Sequence, residues 1–257
     1  MVPVSAVIIT FNEEKNIARC LQSLQGVADE ILVIDSLSTD RTGDICLEMG
    51  ARFISNEWPG YAGQKNFGNE KASHDLILSI DADEALSDEL RNSILQAKNK
   101  PEADAWEMNR ITNYCGSWIR HGSWYPDRKL RLFNRNKGQW GGGIIHEMVE
   151  MQEASHVQRL KGDLLHYSYH SISDHIKQAN HFTDLTAETA FKAGKKAGLL
   201  KICFSPCYKF IRDYIFLGGF LDGFAGYTVC RISAQATFMK YVKLRQLVRD
   251  ARNKPIR

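Results

Sequence analysis

A chain of 257 residues, 44% hydrophobic and 25% charged, is sized for one large globular domain, or one domain with an appendage. Its six cysteines are scattered and form no C-x-x-C pair, which argues against a disulfide framework or zinc site and for reduced thiols in a cytosolic compartment. The net charge of +3 hides an asymmetry: residues 192–257 carry 14 Lys and Arg against Asp213, Asp222 and Asp250, a local net of +11 that leaves −8 on the first 191.

Met1 leads straight into an apolar segment without a basic leader, so no signal peptide is expected. Residues 4–11 (VSAVIITF) are β-branched and almost wholly apolar, as in a strand covered on both faces. Ile17, Leu21 and Leu24 then recur at helical spacing, and Gly26 closes that helix. Residues 30–35 (EILVID) read as a second buried strand, 40–49 as a helix closed by Gly50, and 52–56 as a short strand. A helix over 61–72 and a strand over 76–81 complete the series. Strands alternating with helices of this length predict βαβ units and a largely parallel sheet.

Ligands of such sheets bind beyond the carboxyl ends of the strands. Three of those ends are polar here: Thr10-Phe11-Asn12-Glu13, Asp35-Ser36 and Asp81-Ala82-Asp83-Glu84. Asp81 and Asp83 sit two apart, so extended backbone would send both carboxylates from one face, where they repel unless a cation lies between. Mg²⁺ or Mn²⁺ suits one or two carboxylates plus the oxygens of a diphosphate. The alternative is that Asp83 or Glu84 merely ends the strand. No G-x-G-x-x-G or P-loop is present, so a diphosphate would need a metal and a side chain such as Lys65. Asp35 is either a base- or ribose-binding carboxylate or a turn residue. Asp40, just before a helix, is expected to cap it.

Thr10-Phe11-Asn12-Glu13-Glu14, then Ile34-Asp35-Ser36 with Ser38-Thr39-Asp40-Arg41-Thr42, then Asp81-Ala82-Asp83-Glu84 resemble the inverting family 2 of glycosyltransferases. The match covers roughly residues 1–100, with the motifs in order. The resemblance implies an α/β, Rossmann-like GT-A fold with a mostly parallel sheet flanked by helices. It also implies a nucleotide-sugar donor, a UDP-sugar, and Mg²⁺ or Mn²⁺. On it, Thr10, Asn12 and Glu13 belong to the donor loop, Asp35 holds the base or ribose, Lys65 lies near the phosphates, Asp81 approaches the ribose, and Asp83 coordinates the metal.

Beyond residue 100, residues 124–133 (WYPDRKLRLF), 143–147 (GIIHE) and 218–223 (GGFLDG) are similar to a narrower branch, the bacterial glucosyltransferases acting on the inner-core heptose of lipopolysaccharide. An inverting transfer needs a base facing the anomeric carbon from the acceptor side. Two carboxylates fit. Glu147 follows Ile144-Ile145 beside Gly141-Gly142-Gly143, and Asp127 lies in an aromatic and basic loop. The alternative for Glu147 is an ion pair with an arginine such as Arg131. His146 is either a ligand of metal or acceptor or a structural histidine. Trp118, Trp124, Tyr125 and Trp140, near Arg120, Arg128 and Arg131, suit an anionic sugar acceptor; the alternative is a Trp-rich core with solvated arginines.

In the last third, a helix is expected over 173–193. After Gly198, phenylalanines and leucines mix with Lys and Arg, and the longest uncharged run, 214–221, is too short to span a bilayer. Such a segment fits helices lying on an anionic leaflet, or a helical pair with a solvated basic face. Nucleic acid is not an expected partner, because it leaves the phenylalanines unexplained. The expected organisation is a donor-binding half (1–100), an acceptor-side half (101–170) and a basic membrane-associating helical appendage (171–257). The expected activity moves a hexose, glucose from UDP-glucose, onto a lipid-linked saccharide such as the lipopolysaccharide heptose. It would act at the inner face of the cytoplasmic membrane, in the cytoplasm and peripherally bound. The alternatives are transfer to a polyprenyl phosphate and a non-catalytic nucleotide-sugar or membrane-binding module.

Overall fold

The computed structural model describes residues 1–143 and 146–253. The chain divides into two compact units, Met1–Ile111 with Asp127–Tyr167, and Thr112–Pro126 with Ser168–Arg257.

The first unit opens with the alternation the sequence predicts: β1 (Val4–Thr10), α1 (Ile17–Leu24), β2 (Glu30–Asp35), α2 (Thr42–Glu48), β3 (Arg52–Ser55), α3 (Tyr61–Lys71) and β4 (Leu76–Asp81). All seven residues of β1 are buried, because the strand is covered on both faces. Val4 and Ile8 face Ile17, Leu21 and Leu24 of α1, while Val7 packs with Leu32, Ile34 and Ile77 on the other side. Each such side chain contributes about 1.5–3 kcal/mol by leaving water. The four strands are parallel in the order β3-β2-β1-β4. Thr10 pairs with Asp35 and Ile9 with Asp81, so the three polar strand ends lie at one edge.

After β4 the chain runs through β5 (Glu84–Leu86), α4 (Asp88–Asn99), β6 (Ala105–Tyr114), β7 (Ser117–Ile119), β8 (Asp127–Asn134), β9 (Gly138–Gly143), β10 (His146–Met151) and β11 (Val157–Tyr169). The sheet continues β4-β8-β6-β11-β5, with β8 antiparallel to β4 and β6, and β11 antiparallel to β5. β9 and β10 form a separate two-stranded ribbon. Ser87 caps α4 by accepting a hydrogen bond from the Leu90 amide.

α3 approaches the sheet closely because residue 68 is glycine. A Cβ there would lie 2.4 Å from Val7 Cγ1 and 3.0 Å from Ile34 Cγ1. This close approach brings Lys65, one turn earlier, to the end of β4.

The second unit holds α5 (Ile172–Lys192), α6 (Leu199–Ile211) and α7 (Gly223–Asn253). Ser171 caps α5 by accepting from the Asp174 amide. Ala187, Ala197, Ile202 and Leu244 form its apolar centre. The predicted uncharged run falls across a π-helical turn, Arg212–Phe216, and a 3-10 turn, Gly219–Asp222. Gly226 allows α7 to touch that turn, since a Cβ would lie 2.0 Å from the Gly219 carbonyl oxygen. Asp222 accepts hydrogen bonds from the Arg120 and His121 amides, and buried Asp213 accepts from Ser123, so both carboxylates staple the Thr112–Pro126 segment within this unit.

Candidate active site

The loops after β1 and β2 are bolted together. Asn12 and Leu37 both adopt positive φ, 54° and 64°, a strained choice for residues other than glycine. The Asn12 amide donates to Ser38 Oγ, and the Thr39 amide donates to Asn12 Oδ1, both at 2.8 Å. Thr10 is buried with its hydroxyl unpartnered. Asp35 is buried too, and both of its oxygens accept from Ser38, one from the amide and one from the hydroxyl. In this chain Asp35 therefore shapes its own turn. Asp40 does not take the expected cap position, which Arg41 occupies without a side-chain cap; one residue earlier, Asp40 accepts from the Thr42 amide and hydroxyl and from the Glu14 amide, tying the two loops together.

At the end of β4, the expectation that Asp81 and Asp83 share a face does not hold. Strand pairing stops at Asp81 and residues 82 and 83 form a turn, so the two carboxylates take different partners. Asp81 lies 3.0 Å from Lys65 Nζ, an ion contact rather than an aligned hydrogen bond, and accepts from Arg131 Nη2 at 2.8 Å. Burial opposes its ionisation, but the Arg131 guanidinium and then the Lys65 ammonium outweigh that and hold the carboxyl well below the usual range. Lys65 is itself buried, with its ammonium 4.2 Å from the centre of the Trp140 ring. The ammonium expected beside phosphates is thus engaged by Asp81, because the approach of α3 places it under Trp140.

A ladder of charges continues inward. Fully buried Glu84 accepts from Arg131, Arg110 and the Asp81 amide. Arg110 in turn grips Asp127 through Nε at 3.0 Å and Nη2 at 2.7 Å, and Lys129 lies 3.1 Å from the same carboxylate. Arg131 keeps Nε and Nη1 buried without partners. The alternative for Glu147, an ion pair with an arginine such as Arg131, is met by a different cation: Arg131 turns to Asp81 and Glu84, and Glu147 lies 3.6 Å from Lys65 Nζ.

Asp83 meets a residue that the sequence did not single out. His166 Nε2 lies 3.2 Å from Asp83 Oδ2, and its Nδ1 is buried without a partner. The register of β11 on β5 pairs His166 with Glu84, and the Tyr167 amide donates to the Asp83 carbonyl. No motif flags this histidine, because a pairing between distant strands creates its position. Among the described residues no group of three His, Cys, Asp or Glu could hold a metal alone. Asp83 offers an oxygen that suits Mg²⁺ or Mn²⁺ beside substrate phosphates, and His166 adds a nitrogen, a donor that a hard ion such as Mg²⁺ takes less readily than a transition metal does. Close by, burial raises the Glu13 carboxyl; a hydrogen bond from Asn16 opposes this, and the carboxylates of Asp83, Asp40 and Asp81 add to the rise.

Tyr61, also missed in the sequence, feels the same acidic group. Burial raises its phenol, and Glu147, Asp81 and Asp83 add to that. It stands edge-on to Trp58, ring centres 4.7 Å apart, and both rings are about half exposed. The predicted aromatic group divides. Trp140 and Arg131 lie in the first unit, whereas Trp124 packs with Tyr114, Tyr169 and His175 in the second. Ile144 and Ile145 lie outside the described residues, as does the side chain of His146.

Residues 5–154 match the family described as glycosyl transferase family 2. The chain is 31% identical to an uncharacterised glycosyltransferase of Rickettsia typhi, covering 98% of this chain and 90% of that one. It is 32% identical to the lipopolysaccharide core biosynthesis glycosyltransferase LpsC of Rhizobium meliloti, covering 95% and 92%. Among solved structures it is similar to S. aureus TarS 1–349, with a TM-score of 0.47, 14% identity and coverage of 97% and 92%.

Proposed function

We propose, from the premise that this chain belongs to glycosyl transferase family 2, that it moves a hexose from a UDP-sugar onto a lipid-linked saccharide. Glucose is the proposed hexose and the lipopolysaccharide inner-core heptose the proposed acceptor. The name of the Rhizobium relative supports the acceptor class. The observation that carries the reading is the Asp83–His166 pair at the carboxyl end of β4, beside the joined loops of β1 and β2.

The donor's uridine would lie on the Thr10–Glu13 loop and the turn shaped by Asp35. Asp83 and His166 would hold a divalent ion, which when bound neutralises charge on the departing diphosphate. Lys65 and Arg131 keep Asp81 ionised and fixed, so the ribose side of the site is set before the donor arrives. Glu147 is the proposed base. Its described ion contact, to Lys65, is long at 3.6 Å, whereas Asp127 is gripped by Arg110 and Lys129. As the acceptor hydroxyl attacks C1 from the face opposite the diphosphate, Glu147 takes its proton, the new C–O bond forms, and UDP leaves with inversion. The proposed setting is the cytoplasmic face of the inner membrane, with the chain bound peripherally to an anionic leaflet.

The test incubates the full chain with a panel of UDP-sugars, Mn²⁺ or Mg²⁺, and lipopolysaccharide truncated to its inner core. UDP release from one donor that rises with acceptor and yields an inverted glycoside supports the reading. UDP binding without turnover on any donor and acceptor would favour a binding module instead.

A further inference from the structure

The second unit presents an outward face that the transfer chemistry does not use. On α6, Ile202 turns inward against Ala187, Ala197 and Leu244, as one side of an amphipathic helix should. The other side is not polar. Leu200, Phe204, Tyr208 and Ile211, followed by Ile215 in the π-helical turn, recur at steps of three or four residues and are 43–75% exposed. Cys203 and Cys207 are exposed on the same turns. Beyond the helix, Phe216 and Phe224 are more than three-quarters exposed. So many large apolar side chains left exposed on one short stretch of chain mark a binding face.

Charge, length and composition identify the occupant. Exposed Lys195, Lys196 and Lys201 flank the start of α6, and residues 192–257 carry a net +11. A second copy of the chain would set that charge against itself, whereas an anionic leaflet neutralises it. No single helix among the described residues is long and apolar enough to cross a bilayer. Only the bent pair 199–216 and 219–252, which meet at 73°, has the combined length and composition for a span; α6 alone has 13 residues, about 20 Å at 1.5 Å per residue, short of a bilayer's apolar core. Aromatic rings, leucine and lysine on one short helix are the makeup of a segment lying in the interfacial plane.

We propose that the outward face of α6, continued through Phe216 and Phe224, lies in the headgroup–acyl boundary of an anionic bilayer leaflet. This rests on the membrane-bound reading of the transferase. Binding to vesicles needs neither donor nor acceptor, so its failure and a failure of transfer are separate results.

The full chain is sedimented with vesicles containing phosphatidylglycerol and with vesicles of phosphatidylcholine alone. Binding is expected to the anionic vesicles, about tenfold tighter than to the neutral ones and weakened by salt. Phe204→Ser with Phe216→Ser is expected to weaken it about tenfold, with thermal unfolding unchanged because both rings are exposed. Bound vesicles should also shield Cys203 and Cys207 from a maleimide reagent. Equal binding by both proteins, or no binding to anionic vesicles, overturns the proposal. So does a concentration-dependent dimer that the double substitution dissolves while vesicle binding persists, since the face would then belong to a second copy.

Discussion

Buried Lys65 and partly exposed Asp81 form an ion contact at 3.0 Å, roofed by the Trp140 ring at 4.2 Å from the ammonium. The lysine comes from α3 and the carboxylate from the end of β4, so the contact ties a helix to the strand that delivers the acidic motif.

Lys65→Met removes the cation and leaves Asp81 with Arg131. Breaking a buried pair typically costs 3–5 kcal/mol, and about 2–3 kcal/mol is expected here because Asp81 keeps one partner and some solvent contact. Urea unfolding measures it. Adding Asp81→Leu to Lys65→Met should cost less than the two single losses together, since neither charge is then orphaned. Strict additivity would mean that the contact carries no coupling energy.

Metal-dependent UDP release should fall by roughly two orders of magnitude in Asp83→Ala. His166→Ala should weaken Mn²⁺ binding in the presence of UDP by at least about tenfold, read by calorimetry. Unchanged Mn²⁺ affinity in His166→Ala would leave the histidine as a packing partner of Asp83 alone.

The two candidate bases separate by their variants. Glu147→Gln is expected to lower kcat for sugar transfer about 10²–10⁴-fold with little change in donor KM. Asp127→Asn should act mainly on stability, by about 1 kcal/mol, through loss of the half-exposed grip of Arg110 and Lys129. The reverse pattern would exchange their roles.

Acid should loosen the second unit through His175. Burial among Tyr114, Trp124 and Tyr169 pushes its imidazole down to about 4, below the usual value of 6.5. Between those values the unfolded chain binds the proton and the folded chain does not. Stability is therefore full above pH 6.5 and is lost as pH falls toward 4, by up to about 3 kcal/mol. His175→Phe should flatten that part of the profile of Tm against pH. An unchanged slope would place the acid sensitivity elsewhere.

The order of β1 to β4 and the helices between them was legible because their apolar spacing is local and strong. The acidic strand ends were legible for the same reason, since a strand that stops at a polar residue must place it at the sheet edge. The partners of those residues were not. His166 reaches Asp83 through the register of β11 on β5, and Lys65 reaches Asp81 through the room left at Gly68. Alternation along a single strand predicted that Asp81 and Asp83 would share a face, and the turn at residues 82 and 83 overruled it.

Local pattern was enough for the βαβ alternation, the gathering of Thr10, Asp35 and Asp81 at one edge, and the basic character of the last third. Which cation each carboxylate meets, and which side of α6 is left exposed, came from packing between distant segments. Periodicity reports which residues share a face of one element. Charge pairing and exposure depend on what another element, distant in the chain, brings against that face.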